Sequence, residues 1–201
     1  MYMNKTSKTP QDGGKKGEAS GREQICDLSH AQRATTRLLV RALREPDCGM
    51  LHALFQDPAV QRHFVIEGMT AESEVSWSLA ASKSGRGGYF VIEMKDDPTA
   101  QVGVFLFWSI VPSEVGRSDD KKYVRFGFAL FPAFRGRGMA AEVSDEMLPF
   151  LQETLGIDHC VARCARDNVA SQAVLRKSGF SEFSVCDGSG RLFFVKPAFQ
   201  E

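Results

Sequence analysis

The chain has 201 residues, 43% hydrophobic and 25% charged, which suits one soluble folded domain and excludes a disordered or membrane-embedded composition. Its 25 basic and 25 acidic residues cancel, so no net field draws it to nucleic acid or anionic lipid, and any anion site has to be local. The longest apolar runs, such as residues 102–108, fall far short of the roughly 20 residues that span a bilayer.

Residues 1–34 hold few large apolar side chains and many turn formers, a composition that cannot offset ordering entropy, so a flexible arm is expected ahead of a folded domain over 35–201. Asp12, Glu18 and Glu23 dilute the lysines of this arm, and its start has no apolar centre of the kind a secretory signal needs. Cys26, Cys48, Cys160, Cys164 and Cys186 are odd in number and lack paired spacing, which predicts reduced thiols and a cytoplasmic protein.

A first strand is predicted over residues 36–43, ended by Glu45-Pro46-Asp47, with Asp47 as the N-cap of a short helix carrying Met50, Leu51, Leu54 and Phe55. A second short helix follows Pro58, and a third starts near Thr70 and Ser73. Three consecutive antiparallel strands are expected over 89–94, 101–111 and 123–131. A long helix over 136–155, a strand over 159–165 and a short helix from Asn168 or Ala170 to Ser178 come next, and Gly179 closes that helix. Strands over 180–186 and 192–197, joined through Asp187-Gly188-Ser189-Gly190, complete a seven-stranded reading. Cys160 and Cys164 lie about 13 Å apart on an extended strand, too far to share one metal. His30, His52, His63 and His159 are scattered and read as surface or packing residues, so no metal site is expected.

The densest chemical signal is the junction Phe131-Pro132-Ala133-Phe134-Arg135-Gly136-Arg137-Gly138-Met139-Ala140, where a strand end passes through a glycine-bearing loop into the long helix. Backbone N–H groups at a helix start lack internal partners and lie at the positive end of the helix dipole, which favours phosphate. Gly136 and Gly138 permit close approach, and Arg135 and Arg137 can add charge-assisted hydrogen bonds. Gly136-x-Gly138-x-x-Ala141 also matches a dinucleotide fingerprint, but Asp158 precedes its strand and so stands at the wrong end of the sheet for that role. A plain strand-to-helix turn with solvated arginines is the other alternative.

Arg135-x-x-Gly138-x-Ala140 together with Asn168-x-x-Ser171-x-x-Val174-Leu175-x-Lys177-x-Gly179-Phe180 resembles the GNAT N-acetyltransferase superfamily. Thr35-x-Arg37-Leu38-x-x-Arg41, Asp57-Pro58 and Gly138-Met139-Ala140-Ala141-Glu142 resemble its RimJ/RimL-like branch, so the likeness covers about residues 35–197. It implies an α/β fold with a mixed, mostly antiparallel sheet, split where acetyl-CoA lies and flanked by helices. The pyrophosphate would rest on Arg135, Gly136, Arg137, Gly138, Met139 and Ala140, and the backbone of Phe128, Ala129 and Leu130 would meet the pantetheine arm. By the same resemblance Asn168 would hydrogen-bond that arm, and Ser171 would stand near the sulfur, where it could protonate the leaving thiolate. Leu175 occupies the position of a tyrosine general acid common in the family. Arg125 stands where the branch often has a glutamate, so the base has no assigned residue.

The resemblance implies transfer of the acetyl group of acetyl-CoA to a primary amine, and its RimJ/RimL-like branch suggests a protein N-terminal α-amine. With no base assigned, an α-amine with a pKa near about 8 also needs less help than lysine near about 10.4. Amino acids, polyamines and aminoglycosides are alternative acceptors, and a CoA-binding module without turnover is the non-enzyme alternative. No metal, nucleic acid or membrane is implied as partner, and either a monomer or a homodimer is compatible.

Overall fold

The computed structural model describes residues 26–64, 68–183 and 190–197. The outer part of the expected arm, the far end of the strand expected over 180–186 and the turn residues Asp187, Gly188 and Ser189 lie outside them.

A mixed sheet runs β1 (Gln32–Ala34), β2 (Leu38–Ala42), β3 (Gly87–Met94), β4 (Asp97–Ile110), β5 (Tyr123–Leu130), β6 (His159–Cys164), β7 (Ser181–Phe183) and β8 (Leu192–Pro197), in the spatial order β1-β2-β3-β4-β5-β6-β8-β7. Among the described residues it has eight strands where the sequence predicts seven. The additional strand, β1, falls in the expected arm and pairs antiparallel with β2. Leu28 is buried, and Arg33 Nε donates to Glu146 Oε1 at 2.8 Å with its guanidinium over the Phe150 ring, so residues 26–34 belong to the domain. One buried leucine and one edge strand are too little apolar pattern to be seen against the polar run before them.

β3 is buried along nearly its whole length because helices cover both faces, which is why it reads as a continuous apolar run instead of an alternation. On one face Phe90, Ile92, Phe105, Phe107, Val124 and Phe126 pack against Val143, Met147 and Leu151 of the long helix α4 (Met139–Leu155). On the other, Tyr89, Val91, Val104 and Leu106 meet α1 (Cys48–Phe55), α2 (Pro58–His63) and α3 (Ala71–Lys83) through Leu51, Leu54, Val60 and Val75. A fifth helix, α5 (Val169–Lys177), links β6 to β7.

Asp47 is not the side-chain cap of α1 that the sequence suggests. Its carboxylate is buried with Arg41, which donates from Nη1 and Nη2 at 2.8 Å each and also from Nη2 to Glu93 Oε1 at 2.6 Å. A buried guanidinium has to be paired, and this trio fastens β2, β3 and the turn before α1 together. Thr70 does cap α3, accepting from Ser73 N–H while Ser73 Oγ accepts from Thr70 N–H.

β5 and β6 are parallel neighbours for only three register positions, Tyr123 with His159, Val124 with Cys160 and Arg125 with Val161. Beyond Arg125 the two strands part, while β5 stays paired with β4 through Leu130. The sheet is therefore split between residues 126–130 and 162–164.

Candidate active site

The split opens beside the start of α4. Gly136 and Gly138 take φ values of 71° and 76°, a left-handed conformation that costs other residues about 1–2 kcal/mol each. Gly138 is the N-cap of α4 and has no side chain to cap it with, so the first N–H groups of the helix, Met139 to Ala141, have no helical partner. The predicted helix start at residue 136 moves to 139 for this reason: two left-handed glycines cannot sit in a right-handed turn. Among the described residues a Cβ at Gly136 would meet nothing within 4 Å, and Gly136 is exposed.

Side chains brace the loop from both flanks. Arg135 Nε donates to Leu130 O at 2.9 Å and Nη2 donates to Asp57 Oδ1 at 2.7 Å. Asp57 also caps α2 by accepting from Ala59 and Val60 N–H. Burial works against its charge, but these donors outweigh it and hold the carboxyl below its ordinary range. On the other flank Arg37 Nη2 donates to Arg137 O at 3.1 Å and Nε donates to Glu142 Oε2 at 2.7 Å. Glu142 accepts further from Thr35 Oγ1 at 2.5 Å and Arg37 N at 2.9 Å. Burial raises its pKa less than these donors lower it, and the carboxyl lies below its usual value. Glu142 is thus a fastener between the β1–β2 connection and α4. The Arg137 side chain is exposed, its guanidinium 6.0 Å from the Phe134 ring.

From the loop a cavity of about 430 Å³ runs along the split. Phe128, Ala129, Leu130, Arg135, Gly136, Ala140, Asn168 and Ser171 line it, so eight of the eleven residues expected at the site stand together; Arg137, Gly138 and Met139 are not on its wall. Phe131 N–H donates back to Val102 O of β4 at 2.9 Å. By the two-residue alternation of a strand, Phe128 and Leu130 turn their backbone groups the other way, into the split. Asn168 Oδ1 accepts from Ser171 N–H at 3.1 Å, capping α5, which leaves its amide N–H₂ for another partner.

A smaller cavity of about 70 Å³ adjoins the first and reaches towards Arg163, Cys164 and Leu175. Leu175 is 2% exposed, part of the core, and has no polar atom to offer. Arg125 is 8% exposed, its guanidinium 5.7 Å from the Trp108 ring and Nη2 3.9 Å from Glu114 Oε2. It marks the last position where β5 and β6 pair.

His63 and Asp167 were missed by the sequence reading. His63 ends α2 and lines both cavities, and Asp167 lies in the β6–α5 loop, ion-paired with Arg62. Burial raises the Asp167 pKa less than Arg62 lowers it. Asp158 precedes β6, accepts from Lys122 N at 2.8 Å and sits at the paired end of β5 and β6, away from the cavity. Among the described residues no group of three or more His, Cys, Asp or Glu could hold a metal, and no helix is long and apolar enough to cross a membrane.

A family model described as an acetyltransferase (GNAT) domain matches residues 37–181. An uncharacterized N-acetyltransferase of Bacillus subtilis, YoaA, is 25% identical over 155 residues, 75% of this chain and 83% of that protein. Among solved structures, a Salmonella typhimurium acetyltransferase described as modifying the N-terminal serine of ribosomal protein L7/L12 superposes with a TM-score of 0.66 at 19% identity, covering 81% of this chain and 96% of that one. Mycobacterium smegmatis RimJ in complex with CoA-disulfide gives a TM-score of 0.68 at 18% identity, with 87% and 90% covered. Fold, split sheet and family match agree, and the chain belongs to the GNAT family of acetyl-CoA-dependent acetyltransferases.

Proposed function

We propose that this enzyme acetylates the α-amine of a protein or peptide N-terminus, with acetyl-CoA bound along the split between β5 and β6. The observation that carries the reading is the continuity of one cavity from the glycine loop at the start of α4 to Ser171. The N–H groups of Met139 and Ala140 take the pyrophosphate, exposed Arg137 adds positive charge, and Arg135 serves by holding the loop to Asp57 and Leu130. Phe128 and Leu130 offer N–H groups to the pantetheine arm and to the thioester oxygen, where a donor aimed at the developing oxyanion lowers the barrier. Asn168 reaches the arm with its amide N–H₂, and Ser171 stands beside the departing sulfur as its proton donor.

The acceptor assignment rests on two supports. A structural neighbour is described as acting on an N-terminal serine. An α-amine with a pKa near about 8 is also partly deprotonated at neutral pH, whereas a lysine near about 10.4 is almost wholly charged. Incubation with acetyl-CoA and an equimolar panel of a serine-starting peptide blocked at its lysines, an amino acid, a polyamine and an aminoglycoside, read by mass, tests it. A mass gain of one acetyl group on the peptide N-terminus supports the assignment. An untouched peptide beside an acetylated small amine refutes it.

A further inference from the structure

The two cavities meet at a waist formed by five residues that line both, His63, Phe64, Phe128, Asn168 and Ser171. The thioester has to lie here if Phe128 N–H is to face its oxygen and Ser171 its sulfur. Of the five, His63 alone carries a side chain with a basic ring nitrogen. Its Nδ1 is buried, has no hydrogen-bond partner among the described residues, and lies 3.9 Å from Asp167 Oδ1. That separation is too long for a hydrogen bond but short enough for a small ring rotation to close it. With its proton on Nδ1, facing the carboxylate, the ring would present the Nε2 lone pair as its basic site.

We propose that His63 is the general base of acetyl transfer, with Asp167 as the residue that positions its ring; this rests on the acetyl-transfer reading above. The other ionisable groups among the described residues around the waist are unsuited. Arg163 and Cys164 of β6 border the small cavity, and burial raises the Cys164 thiol, keeping it protonated. Arg62, on the helix of His63, pairs with Asp167, and Arg135 pairs with Asp57. Glu74, which accepts from Tyr89 Oη at 3.1 Å, lines neither cavity. In the step, the acceptor ammonium gives one proton to Nε2 of neutral His63. The freed amine attacks the thioester carbon, and the C–N bond forms as the C–S bond breaks. The second nitrogen proton passes to the thiolate through Ser171 or water, and the imidazolium returns its proton to solvent.

His63→Gln and Asp167→Asn test this. With the serine-starting peptide, a folded H63Q should lose at least about 100-fold in kcat, the low end of what general-base catalysis supplies. Its calorimetric Kd for acetyl-CoA should stay within about threefold of wild type. D167N should show a smaller fall in kcat. Wild-type kcat/KM should rise with pH through two ionisations, imidazole and acceptor amine, and H63Q should retain the amine's alone. Unchanged kcat in H63Q, or a loss matched by weaker acetyl-CoA binding, overturns the assignment while leaving acetyl transfer intact. A wild type that acetylates no amine overturns both.

Discussion

Gly103→Ala is the sharpest structural test, because it presses on the strand that forms one wall of the site. Gly103 faces Leu130 across the β4–β5 pair, and a Cβ there would lie 2.1 Å from Ala129 O and 2.7 Å from Leu130 Cα. Carbon and carbonyl oxygen in favourable contact sit about 3.3 Å apart. β5 would have to retreat by roughly 1 Å, weakening bonds such as Phe131 N–H to Val102 O. Overpacking costs about 1–3 kcal/mol and each strained backbone hydrogen bond about 1 kcal/mol more, so a loss of about 3–4 kcal/mol is expected. For a chain of this size that lowers Tm by roughly 10 °C. Gly127→Ala, on the neighbouring strand, is the control. Among the described residues its Cβ would meet only the ends of two side chains, Leu106 Cδ2 at 3.2 Å and Phe64 Cε2 at 3.4 Å, which can yield, and the cost should stay within about 1 kcal/mol. Thermal unfolding followed by circular dichroism reads both, and acetyl-CoA affinity should fall in G103A because Ala129 and Leu130 line the cavity. Equal melting temperatures for the two variants would refute the reasoning.

Glu142→Gln probes the loop fastener. The folded-state pKa of Glu142 is depressed, so its stabilisation is present in full above the unfolded value near about 4.3 and is lost as pH falls through the folded value. The urea-midpoint gap between wild type and E142Q should therefore narrow from about pH 7 to about pH 3; a constant gap contradicts the account. Arg41→Met strands two buried carboxylates, Asp47 at 5% and Glu93 at 6% exposure, and should cost about 3–5 kcal/mol in chemical denaturation. A cost below about 1 kcal/mol would remove the trio from the stability account. Burial pushes the Cys160 thiol up to about 12, so iodoacetamide mapped by mass should label Cys26 and Cys48 in the native protein and reach Cys160 only after unfolding.

The glycine loop, the three antiparallel strands and Asn168 with Ser171 were legible in the sequence because each is local. A turn residue, a β-rich apolar run or a helix cap carries its own signal within a few positions. What was illegible depends on distant partners. Asp47 has the chemistry of an N-cap, and the pull of Arg41 and Glu93 on its carboxylate is not written near it. β1 becomes a strand because β2 is there to pair with it. Arg135 reads as a phosphate ligand, and its bond to Asp57, 78 positions away, is not written near it. His63 and Asp167, 104 positions apart by their numbers, come together only when α2 packs across the split from α5. The Asp57-Pro58 step was the available signal, since it starts the helix that His63 ends.

Calorimetric titration of the full chain with acetyl-CoA, with NAD and ATP as controls, tests the central claim most directly. Micromolar binding of acetyl-CoA alone, abolished by Gly138→Trp in a protein that still melts cooperatively, is the expected result. No heat with acetyl-CoA from a folded protein, or equal binding of NAD, would contradict it and return residues 135–140 to an ordinary strand-to-helix turn.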